Sequence, residues 1–392
     1  MKRNLCLPVI TIVLITACSH PAEKGSFAYD AAFLKAHTKR VLQLSSPDGN
    51  AKLLLSPDFQ GRVMTSTATG DTGLSFGWLN YDLIAAPEKK KQFNPVGGEE
   101  RFWLGPEGGQ YAFYFKGGDS FNIAHWQVPP VIDVIPFRGK AYGDSIAVFT
   151  QRADLVNYSG TMFHIGIERI IRLLDKKALA EKLHTGIPDG LHFVAFETTN
   201  TLFNEGNDDW TKDKGLPSVW LLGMFTPSPQ TKVIIPFTPV PNAAGYITSD
   251  YFGAVPPERL QVKDSTLTFT CDGKYRSKIG LSPVIAKPIA ASFDAAHNVL
   301  TLVLPQIDKN APYVNSKWEL QQQPWKGDVI NSYNDGPLAD GTQLGPFYEI
   351  ESSSPAMELL KGQKGTYSQI TCHFQGSYEK LKQLGQNLGL AL

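Results

Sequence analysis

Cysteine is scarce in this chain: 4 among 392 residues, at positions 6, 18, 271 and 372. They form no Cys-x-x-Cys pair and no Cys/His zinc spacing, and they are too few for a disulfide framework. A net charge is lacking too, since 37 basic and 37 acidic residues cancel. The strongest basic cluster is Lys89-Lys90-Lys91, so nucleic acid is not expected as a partner. Beyond position 18 no apolar run approaches the ~20 residues that cross a bilayer as a helix. No internal repeat of fixed period appears, which argues against a propeller or solenoid. No βαβ alternation appears, which argues against doubly wound and TIM-type folds. The Asn/Asp-rich residues 204–215 lack EF-hand spacing and read as a turn. Neither a metal nor a cofactor is expected.

What is present starts at the N-terminus. Lys2 and Arg3 precede an apolar stretch over residues 5–17, which is too short to span a membrane and has the n- and h-regions of a secretory signal. Its end, Ile15-Thr16-Ala17-Cys18, resembles a bacterial lipobox, where a diacylglycerol is placed on the cysteine thiol and the chain is cut before it. That resemblance implies a removed signal peptide over 1–17, lipidation at Cys18 and a polar tether over 18–26. It implies a cell-envelope location, with contact to the membrane through the lipid anchor only. Ser19 and His20, with no Asp after the cysteine, resemble cargo sent on to the outer membrane, on its periplasmic or surface face. An ordinary signal peptide with a chance cysteine is the alternative. Cys271 and Cys372 then remain, as one bridge or as two buried thiols.

With 35 Gly, 27 Pro, 22 Phe, 14 Tyr and 7 Trp, the composition favours many strands joined by turns. Strands are expected near 51–56, 110–115, 145–151, 162–173, 190–202, 218–226, 231–238, 266–271, 298–304 and 347–352. Helices are expected over 30–44, 175–184 and 377–388. For the first, Asp30 is the expected N-cap, and Phe33, Leu34, Val41 and Leu44 form the buried face. The expected fold is mainly β: residues 27–392 form one large antiparallel two-sheet sandwich with a few short helices and an N-terminal helical appendage.

Several segments could carry chemistry. Residues 73–77 match G-x-S-x-G, but a nucleophile elbow needs a following helix and Trp78-Leu79-Asn80-Tyr81 offers none. Residues 94–110 are densely polar and aromatic. In a strand over 99–104, Glu99, Arg101 and Trp103 share one face. A carboxylate, a guanidinium and an indole together suit a sugar, with the ring on Trp103 and the hydroxyls on Arg101 and Glu99. An internal ion pair on a sheet face explains them equally well. Glu349 and Glu351 share a strand face ~7 Å apart, close enough to shift each other's protonation if buried. Among the scattered histidines, His125, beside Trp126, and His192 suit a sugar site best. Asn334, in an Asn-Asp-Gly turn, is a further binding candidate.

Taken in order, these landmarks resemble the galactose-mutarotase-like supersandwich, the fold of aldose 1-epimerases. Residues 53–67 look like the family's first strands, where a Gly-Arg-Val turn recurs. Gly97-Gly98 is similar to the Gly-Gly before a ligand-contacting strand. Residues 196–207 are similar to the strand whose Asn-Thr pair leads into a turn. Residues 347–363 look like the late strand that carries the catalytic glutamate. Among such proteins the chain looks closer to uncharacterised Bacteroidetes-type lipoproteins than to authentic epimerases. The resemblance implies a carbohydrate partner and an isomerase that uses Glu349 or Glu351 as base. The family's histidine acid has no match in 196–207, which leaves His125, His192 or Arg101 for that role. A non-catalytic glycan-binding module and a structural envelope protein are the rival readings.

Overall fold

A computed structural model describes residues 22–392; the expected signal segment over 1–17 and the expected lipidation site at Cys18 lie outside the described residues. The strands run in chain order as β1 (Leu42–Ser45), β2 (Lys52–Ser56), β3 (Arg62–Thr67), β4 (Arg101–Gly105), β5 (Arg138–Tyr142), β6 (Ile146–Val156) and β7 (Met162–Leu173). They continue as β8 (His192–Asn204), β9 (Ser218–Phe225), β10 (Lys232–Pro236), β11 (Ile247–Thr248), β12 (Leu260–Lys263) and β13 (Thr266–Thr270). The last six are β14 (Ser277–Leu281), β15 (Ala290–Asp294), β16 (Val299–Pro305), β17 (Ile330–Asn334), β18 (Tyr348–Ser353) and β19 (Lys364–Gln375). Among the described residues, four short helices accompany them: α1 (Phe27–His37), α2 (Tyr81–Ala85), α3 (Lys176–Leu183) and α4 (Tyr378–Asn387).

The strands form a ten-stranded sheet in the order β12-β13-β10-β15-β16-β19-β8-β7-β6-β5, a six-stranded sheet β11-β14-β17-β18-β9-β4, and a three-stranded sheet β1-β2-β3. All strand pairs in them are antiparallel. The fold is therefore the expected antiparallel supersandwich, with a small third sheet. Strand alternation explains the layers. Val233, Phe269 and Val303 of the large sheet meet Ile279, Ile330 and Ile350 of the six-stranded sheet in one core. The opposite face of the large sheet, with Ile234, Leu300, Leu302 and Phe374, is covered by Leu179 and Leu183 of α3 and by Leu381 and Leu384 of α4. The other face of the six-stranded sheet is left to loops, and it bears the site described below.

Local expectations are corrected in three places. The first helix begins at an N-cap on Ser26, not Asp30, and ends at His37. Residues 42–45 are a strand instead, because Leu42 and Leu44 pair with Leu55 and Leu53 of β2. This helix is no appendage, since Phe27 and Leu34 pack with Leu54, Phe59 and Met64. Residues 110–115 are turns whose Phe113, Tyr114 and Phe115 are buried in the core rather than paired in a ladder. The G-x-S-x-G segment is no elbow: buried Ser75 donates its hydroxyl to the Asp30 carboxylate. Cys271 and Cys372 are both free and buried, in different cores.

Candidate functional site

Register on the outer face of the six-stranded sheet brings the charged residues together. Glu351 of β18 stands opposite Asn331 of β17 and Leu222 of β9, and Leu222 stands opposite Arg101 of β4. One pleat along, Glu349 stands opposite Tyr333, which stands opposite Lys278 of β14. Long side chains bridge the intervening strands. Arg101 Nη2 donates to Glu349 Oε1 at 3.1 Å. Lys278 Nζ reaches Glu351 Oε2 at 2.9 Å, and Trp220 Nε1 donates to the same oxygen at 3.0 Å. Glu107, just past β4, accepts from Trp126 Nε1 at 3.0 Å. Tyr251 donates to Asp328 Oδ2 at 2.7 Å, at the sheet edge beside Lys278.

These groups are nearly removed from water: Arg101, Glu349 and Glu351 are 3%, 6% and 1% exposed. Burial pushes the Glu349 carboxyl up to about 8, against the pull of Arg101. Burial also raises Glu107, although Lys278 opposes it. Burial works against the Lys278 ammonium, but Glu351 and Glu107 outweigh it and raise its pKa. Buried polar atoms almost always have partners. Here Arg101 Nε, Arg101 Nη1 and Glu351 Oε1 have none. Two buried donors and one buried acceptor on the same sheet face match hydroxyl groups, which both donate and accept. A carboxyl that holds its proton near neutrality and a carboxylate beside an ammonium can together give and take protons.

The structure thus brings Arg101, Glu349 and Glu351 together, with Trp103 and Trp126 adjoining. Trp103 has another role than expected, because the Arg101 guanidinium lies 4.0 Å over its ring and covers it. Trp126 is buried among Trp103, Tyr114 and Trp318. Four expected residues lie elsewhere. Glu99 turns inward to His373 Nε2 at 3.0 Å and Ser66 Oγ at 2.8 Å. The ladder starts only at Arg101, and Gly97 and Gly98 turn the chain at φ of 93° and 110°, so the alternation does not extend back to Glu99. Asn334 also faces inward and donates to the Tyr275 carbonyl. His125 is exposed in a turn and bonds Ser120, and His192 is exposed at the start of β8.

Lys278, Trp220 and Glu107 were missed by sequence reasoning. Glu107 lay within the polar-aromatic segment 94–110 and could have been singled out there. Lys278 and Trp220 carry no local signal, because register alone aims them at Glu351.

Solved structures share this fold. A proposed aldose 1-epimerase of Escherichia coli K12 superposes with a TM-score of 0.50 at 11% identity, covering 86% of this chain and 99% of its own. The Slr1438 protein of Synechocystis does so with a TM-score of 0.51 at 13% identity, covering 87% and 98%. A galactose mutarotase-like protein of Lactobacillus casei follows at 0.48 and 11% identity, covering 86% and 100%. No curated protein matches the sequence. Over residues 25–391 the chain matches DUF6786, a family of unknown function, and it belongs to that family.

Proposed function

We propose that this is a carbohydrate-active protein of the cell envelope whose buried carboxyl pair interconverts the anomers of a sugar. The observation that carries the reading is the pairing on β18: a Glu349 carboxyl raised to about 8 beside Arg101, and Glu351 facing Lys278. Glu349 then takes the role left without a histidine. Its proton goes to the ring oxygen while Glu351 accepts the proton of the anomeric hydroxyl. The C1–O5 bond breaks, C1 becomes an open-chain carbonyl, and rotation about C1–C2 precedes closure on the other face. Ring closure returns both protons. The unpartnered Arg101 N–H groups hold sugar hydroxyls. The lipobox resemblance at Cys18 supports anchorage by lipid, on the outer membrane.

Anomer exchange is read by NMR across a panel of reducing sugars. Wild type should accelerate exchange for at least one sugar, and Glu349→Gln should reduce that rate ~10²–10⁴-fold, the usual share of a general acid, with the fold kept. Sugar binding seen in tryptophan fluorescence without any exchange would make the chain a glycan-binding module instead. No binding to any sugar would sink both readings. Separately, Cys18→Ser should release the protein from the membrane fraction or leave it unprocessed; unchanged association without N-terminal lipid refutes the anchor.

A further inference from the structure

A polar cleft of about 490 Å³ opens on the same sheet face as the carboxylates, lined by Tyr251, Lys317, Gln321, Gln323, Lys326 and Asp328 among others. Its volume lies within the ~300–1,000 Å³ of ordinary ligand sites. A row of polar groups on neighbouring strands leads towards it from beside Glu351. Asn331, opposite Glu351 in the ladder, donates to Tyr251 Oη at 3.3 Å, and Tyr251 donates to Asp328 Oδ2 at 2.7 Å. Lys278, bonded to Glu351, lies 5.5 Å over the Tyr251 ring. Gly280 leaves the room that this row occupies: a Cβ there would stand 2.1 Å from Asp328 Oδ2 and 2.6 Å from Asn331 Nδ2. From β18 to β14 is two strand spacings, ~10 Å, enough to set a second sugar unit beside a first.

The lining selects the ligand class. Amides, a phenol, two ammonium groups and the carboxylates of Asp328 and Glu319 supply both donors and acceptors, with the two charges of each sign in balance. An anion would meet Asp328 and a cation would meet Lys317 and Lys326, while an apolar ligand would find little to cover. A neutral, hydroxyl-rich ligand fits.

We propose that this cleft is a second sugar subsite, and that the substrate is an oligosaccharide with its reducing-end unit at Glu349 and Glu351 and its next unit in the cleft. This rests on the sugar-binding reading above. Only a reducing-end unit has the free anomeric hydroxyl that the carboxyl pair needs.

The test is calorimetric titration with the gluco-, galacto-, manno- and xylo-series, each as mono-, di- and trisaccharide. In at least one series the disaccharide should bind at least ten-fold tighter than the monosaccharide. That gain should fall below about two-fold in Tyr251→Phe and in Gln323→Trp, which fills the cleft from its exposed side. Circular dichroism and the thermal midpoint check that both variants fold. Monosaccharide binding without a gain from chain length overturns the subsite and leaves the sugar site standing. A gain that survives both substitutions also overturns it, since the second unit then lies elsewhere. Binding of no sugar at all overturns the sugar reading itself.

Discussion

Arg101 lies flat on Trp103 and gives Nη2 to Glu349, leaving the nitrogens Nε and Nη1 without partners. A guanidinium so placed cannot turn to water, so it orients whatever binds beside it. Glu349 is the residue whose state follows pH. It holds its proton up to about 8 in the folded chain, against an ordinary value of 4.5. Between those values the folded state binds more protons than the unfolded one, so this contribution to stability falls as pH rises and is lost through about 8. Urea midpoints measured between pH 5 and 9 should therefore fall more steeply for wild type than for Glu349→Gln. Parallel curves would contradict the raised value. Alternation alone placed Arg101 beside Trp103 and Glu349 beside Glu351. That the cation, not a ligand, covers the indole was beyond it, because both side chains are on one strand and only packing decides which way each leans.

Among the elements, β14 and β17 decide how the face is used. Gly280 on β14 leaves room for Asp328 and Asn331, whose atoms stand where its side chain would be. Gly280→Ala should destabilise the protein by ~1–3 kcal/mol, the usual cost of overpacking, and should loosen Asp328 from Tyr251. A change below a few tenths of a kcal/mol in urea unfolding would mean the groups are not so crowded. Long strands with alternating or continuous apolar runs were legible in the sequence, as in β7, β8 and β9. The first helix was misplaced because Val41, Leu42 and Leu44 suit a helix face and a strand alike. Pairing of residues 42–45 with β2 settled the choice, and no local signal encodes that partner.

At the scale of the molecule, the two large sheets enclose charge as well as hydrocarbon. Arg169 of β7 bonds Glu100 at 2.7 Å with neither side chain exposed, and Thr198 and Gln369 donate to the same carboxylate at 3.0 and 3.1 Å. Burial outweighs the partner on both sides, raising Glu100 and lowering Arg169 to about 10. Such a pair adds little net stability while intact, but losing one member leaves the other unmatched. Arg169→Met should cost ~3–5 kcal/mol in urea unfolding, and adding Glu100→Gln should restore part of it. Additive losses in the double variant would show that the two residues do not act as a unit.

The sequence alone determined the β class, the antiparallel layering and the strand that bears Glu349 and Glu351, because these depend on periodicity, turn residues and the order of landmarks along the chain. It also placed Arg101 on its strand, since alternation is a local rule. Only the tertiary structure decided that Glu99 leaves the site, that Lys278 and Trp220 enter it, and that Arg101 reaches Glu349. Those outcomes depend on register between strands far apart in sequence, where a shift of one residue would send every side chain to the opposite face.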